Sequence, residues 1–166
     1  MLKPGPVLWV LAVIVLGGGA YMLAAQNNFF RAGSSAGLFK PRDSAIVERG
    51  SAVYAANCAS CHGQDLKGQP DWRSPGEDGL MPAPPHDENG HTWHHTDDML
   101  FGITKYGVSE FSGLDGYKNG MPIFEDVLSD DEIIAALSYI KSRWPKEMQA
   151  RHDEMNQIAE QNKARQ

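Results

Sequence analysis

The 166-residue chain has only two cysteines and no excess of positive charge, and its hydrophobic residues are scattered apart from one run. Two cysteines cannot staple a disulfide-rich scaffold. Fifteen Lys and Arg against 21 Asp and Glu leave a formal charge of −6. With a pI near 5.4, the chain lacks the basic face that nucleic acid binding requires. A mean hydropathy of −0.41 excludes a polytopic membrane protein. The length permits one ordinary domain with additional segments.

The single long apolar run covers residues 7–25, sixteen apolar residues and three Gly without a charge. A hydrocarbon core of ~30 Å needs about 20 helical residues, so residues 1–25 read as a transmembrane anchor. A cleaved signal peptide is the alternative, but Met22 and Leu23 fit its small-x-small cleavage pattern poorly. Either way, the chain beyond residue 25 is exported. Residues 26–42 read as a linker, which as flexible coil spans about 23 Å. Lys3 on one side and Arg31, Lys40 and Arg42 on the other do not settle orientation by charge.

Residues 43–145 form the predicted domain, with seven basic and seventeen acidic residues and hence a charge of −10. Asp43 or Ser44 can cap a first helix ending near Asn57, with Gly50 inside it at a place suited to a close helix crossing. Thr96 caps a short helix reaching Tyr106, with Asp97 and Asp98 in its first turn and Gly107 after it. Ser129 and Glu132 have capping-box spacing for a last domain helix that Pro145 stops. Residues 146–166 read as a polar helical tail with only a weak apolar stripe, either solvated or a docking helix for a partner.

Between the first and second of these helices, residues 63–95 hold five Gly, five Pro and few apolar side chains. So long an irregular stretch fits a compact domain only if something other than protein fills the interior. The motif Cys58-Ala59-Ser60-Cys61-His62 supplies the reason. It is the C-x-x-C-H pattern of covalent c-type haem attachment. Two thiols reach the two vinyl groups of one porphyrin, and the next residue offers an imidazole to the iron from the same face. Composition alone would give the pattern in roughly one such chain in a thousand, so chance is a poor explanation. A redox dithiol would want a βαβ context, and a zinc site two further ligands at matching spacing.

His62 is then the proximal iron ligand. The other axial position has Met81, Met99, Met121, His86, His91, His94 and His95 as candidates. Met121 is the choice, because it lies in the turn-like Asn119-Gly120-Met121-Pro122, where Gly120 lets the backbone approach the ring and Pro122 fixes the chain direction.

With Gly50 and Tyr54, the motif from Cys58, Gly120-Met121-Pro122, and Leu137 and Tyr139 in place, the domain resembles a class I c-type cytochrome. The resemblance implies an all-α fold of small helices and loops around one haem c bound through Cys58 and Cys61. It implies a steep crossing of first and last helices at Gly50 and Tyr54. It also implies a proline-loop carbonyl on the proximal imidazole, a role that falls on Pro82. It places the haem domain outside the energy-transducing membrane, as in a single-pass bacterial inner-membrane protein facing the periplasm.

The loop over residues 84–98 departs from a minimal family member; His91, His94 and His95 there could hold zinc or copper, or simply pack with Trp93 in a solvated loop. With both axial positions filled, the iron exchanges electrons and does not bind substrate, which makes the chain an electron-transfer protein and not an enzyme. With 39 apolar residues in 103, the domain is expected to need the haem in order to fold. The acidic surface points to redox partners with basic faces, a quinol-oxidising complex on one side and a terminal oxidase or reductase on the other. A fixed haem subunit of a larger oxidoreductase is the alternative; a haem sensor would need a ligand that leaves.

Overall fold

A computed structural model describes residues 37–113 and 116–166. The predicted membrane span lies outside the described residues, and none of the described helices is long and apolar enough to cross a membrane. The described chain is helical, with no strand longer than an isolated bridge between Met81 and Asn119. In order come α1 (Ser44–Asn57), α2 (Ala59–His62), a 3-10 turn (Thr92–His94), α3 (Asp97–Tyr106), α4 (Val108–Ser112), α5 (Asp130–Ser142) and α6 (Lys146–Lys163).

The three predicted caps all form, because each is a local hydrogen bond. Asp43 accepts from the amides of Ala45 and Ile46, Thr96 from that of Met99. Ser129 and Glu132 close a reciprocal capping box. The packing that organises the domain is α1 against α5. Gly50 is buried on α1 and faces the backbone of Ala135 and the side chain of Tyr139. The absent side chain lets the two helices meet backbone to backbone, while Tyr54 tilts against Tyr139 with ring centroids 5.4 Å apart. Phe39, Tyr54, Leu100, Phe124, Ile133, Leu137, Ile140 and Trp144 form one buried cluster.

Helix α6 is docked on the domain, although its sequence is polar and its apolar stripe weak. His152 and Asn156 are buried. Asn156 donates to Asp97 Oδ1 (3.0 Å) and accepts from the Asp97 amide (2.8 Å). His152 Nε2 donates to the His95 carbonyl at 2.8 Å. Lys141 on α5, with no exposed side-chain surface, lies 2.6 Å from Asp153 and 3.9 Å from Asp97. Buried charge of this kind is tolerated only when every member is paired. The helix is held by hydrogen bonds and ion pairs, which a hydrophobic pattern does not register. The N-terminal edge of the described chain joins the same cluster, since the Phe39 amide donates to Asp97 Oδ2 at 3.1 Å and the Phe39 ring stacks on His152.

Candidate haem site

Helix α1 ends and α2 begins on Cys58, whose amide still donates to the Tyr54 carbonyl. The short turn places Cys58, Cys61 and His62 at i, i+3 and i+4, on one face. The two thiols are free, Cys58 partly buried and Cys61 exposed. Burial, and then the neighbouring Cys61, push the Cys58 thiol up to about 11. A redox-active C-x-x-C pair is favoured by the opposite shift, toward thiolate.

His62 is buried, and its Nδ1 lies 2.9 Å from the carbonyl oxygen of Pro84. A carbonyl only accepts, so this bond puts the proton on Nδ1 and leaves the Nε2 lone pair for a metal. Burial lowers the His62 pKa and the Pro84 bond opposes it, so the ring is neutral near pH 7, the form that ligates. The carbonyl that orients His62 is thus Pro84's, not that of Pro82 as the resemblance implied. The reason lies in the reversal at Gly68. Its positive φ of 66° lets its amide reach the His62 carbonyl (2.8 Å). The Gln69 amide then takes the Ala83 carbonyl at 2.9 Å, and the next carbonyl along is the one left to face His62. A run with prolines at 82, 84 and 85 gives no register by itself.

His86 was a sequence candidate for the second axial position, and the geometry assigns it elsewhere. Its ring stacks on that of His62, centroids 3.9 Å apart and planes within 20°. Parallel rings carry their lone pairs side by side, whereas two axial ligands must face each other across a metal. Burial, with His62 and His91 adding to it, holds the His86 pKa well below the ordinary value. In the histidine-rich loop, His91 stacks on Trp72 and His94 on Trp93. Among the described residues no group of three or more His, Cys, Asp or Glu side chains is arranged to hold a metal ion.

Of the methionines weighed for the second position, Met99 lies on the surface of α3. Met81 serves through its backbone, its amide donating to the Lys118 carbonyl at 2.8 Å, which ties the proline loop to the segment leading into Met121. Met121 packs against the buried cluster that Cys58 and Trp93 also border, and its amide donates to Asn119 Oδ1 at 2.9 Å. Gly120 beside it is exposed, and a Cβ there would meet no protein atom within 4 Å. Trp93 Nε1 is the one buried side-chain polar atom among the described residues without a partner. A buried donor in that condition is costly, and a haem carboxylate is an acceptor that would satisfy it. The two thiols, the neutral imidazole and the unpaired indole all fit a covalently held haem.

The family model described as cytochrome C oxidase, cbb3-type, subunit III matches residues 45–140. The chain belongs to this family of c-type cytochrome domains. No curated protein and no solved structure matches it. The cytochrome domain carries covalently bound haem c and works in haem-based electron transfer. The matched span runs from the first turn of α1 to the last turn of α5 and includes the Cys58 to His62 turn, the proline loop and Met121.

Proposed function

We propose that the protein is a membrane-anchored monohaem cytochrome c that passes single electrons on the periplasmic side. It would take them from a quinol-oxidising complex and deliver them to a terminal oxidase or reductase. The observation that carries this reading is the turn presenting Cys58, Cys61 and a neutral His62 whose Nδ1 is committed to Pro84. Cys58 and Cys61 would form the two thioethers, and His62 and Met121 would hold the iron. When bound, the haem supplies a one-electron couple. The residues around it have three tasks. His62 donates its Nδ1 proton to Pro84 and so stays fixed and basic. Met121 would hold the iron through a soft, weak sulfur donor, which would favour the reduced state and close the site to substrate. The apolar cluster behind them excludes water.

The acidic surface of residues 43–145 favours partners with basic faces. The apolar run at residues 7–25 and the short linker favour a tethered domain. A fixed subunit of a larger oxidoreductase is the second reading, and the description of the matched family as an oxidase subunit favours it. Mild detergent extraction followed by native electrophoresis with haem staining separates the two. A small haem-staining band supports the carrier, and a large one the subunit. Release from membranes without detergent would sink the anchor.

A further inference from the structure

The His62 imidazole is held at one point by its hydrogen bond to Pro84. Such a bond tolerates a wide range of angles, and the torsion about the bond to a His ring is intrinsically broad. The ring therefore needs a second constraint if its plane is to be fixed. His86 lies flat against it, with ring centroids 3.9 Å apart.

His86 is itself pinned at three places. Its amide donates to the Leu66 carbonyl at 2.7 Å. Its carbonyl accepts from Trp144 Nε1 at 2.8 Å, at the end of α5. Its Nδ1 lies 2.8 Å from Thr92 Oγ1, and that hydroxyl in turn donates to the Pro85 carbonyl at 3.3 Å. Thr92 Oγ1 thus sits between His86 Nδ1 and the Pro85 carbonyl, and the contact at Nδ1 fixes the rotation of the His86 ring. The edge of Tyr54 closes a further side, 6.3 Å between centroids. So immobilised a ring, in contact with a ligand and bearing no ligand role of its own, acts as a wall.

We propose that His86 is a positioning residue for the proximal imidazole, fixing the rotation of the His62 plane about its metal bond. The inference rests on His62 and Met121 as the axial pair. The plane of an axial imidazole determines how unpaired spin of the oxidised iron is distributed over the porphyrin, so a spectroscopic signature reads it directly.

The test uses the full-length haem protein. First, the wild-type ferric spectrum is checked for the far-red sulfur-to-iron band; its absence would refute the axial pair itself. Next, His86→Leu, Thr92→Val and His86→Phe are compared with wild type by the g-values of the ferric protein and by the order of the four haem-methyl proton resonances. His86→Leu removes the flat ring and should shift the g-values and reorder the methyl resonances. Thr92→Val keeps the volume but frees the His86 ring, and should shift both in the same direction by less. His86→Phe restores a flat ring and should return the wild-type order. Wild-type g-values and methyl order in Thr92→Val and in His86→Leu, with the far-red band intact, would overturn the proposal. If His86→Leu fails to mature, Thr92→Val decides alone.

Discussion

A Cβ on Gly50 would sit 1.9 Å from the carbonyl oxygen of Ala135 and 2.5 Å from its carbon. The obstacle is backbone, which cannot swing aside as a long side chain can. Gly50→Ala should therefore push α1 from α5 and cost about 1–3 kcal/mol or more, the usual cost of overpacking. Denaturant unfolding of the haem protein measures this. A midpoint equal to wild type would mean that the helices do not cross this closely.

Met121→Ala should leave the haem attached and remove its sulfur ligand. The far-red charge-transfer band should vanish, and the potential should fall as the weak thioether donor is lost. Replacing both Cys58 and Cys61 by Ser should abolish the haem stain on denaturing gels. A far-red band persisting in Met121→Ala would hand the axial role to another side chain.

The buried cluster at α6 should make the fold sensitive to mild acid. His152 has its pKa lowered, by burial first and by Lys141 second, with Asp97 opposing. A base with a depressed folded-state pKa is neutral in the native protein at pH values where the unfolded chain already binds a proton. Stability is therefore retained above the ordinary value of 6.5 and lost as the pH falls below it, with a slope of up to about 1.4 kcal/mol per pH unit for one proton. Denaturation midpoints of the haem protein from pH 7.5 downward should show the slope, and His152→Gln should flatten it. An unchanged slope in His152→Gln would assign it to other groups.

The starts of three helices were legible in the sequence to within a residue because Asp43, Thr96 and Ser129 cap them by contacts two or three residues away. The haem turn was legible because all of its chemistry lies within five consecutive residues. The carbonyl of Pro84 was not, because its register depends on Gln69 pairing with Ala83, fourteen residues on. The stacking of His86 on His62 likewise joins residues 24 apart in the chain through a loop without periodicity. The docking of α6 was hidden for another reason. His152 and Asn156 lie at i and i+4 on an otherwise polar helix and bind by hydrogen bonds, so the apolar stripe that signals a buried face is missing.

Electron transfer with a basic partner should slow as salt is added. The domain's charge of −10 acts over a Debye length of about 8 Å at 0.15 M and about 3 Å at 1 M. Rates measured by stopped flow against a soluble basic redox protein should fall steadily with ionic strength. A flat or rising dependence would mean that an apolar contact, not charge, governs the encounter.

The amides of Phe39 and Lys40 are hydrogen-bonded to Asp97 Oδ2 at 3.1 Å and Ser138 Oγ at 2.9 Å. These two attachments make the start of the domain a mechanical fixing point. A pull applied along the backbone at Gly37 meets α3 and α5 first, and α6 through Asn156. The α1–α2 turn that carries Cys58, Cys61 and His62 lies beyond both attachments along the chain, so a load applied at Phe39 and Lys40 falls on α3 and α5 before it reaches that turn.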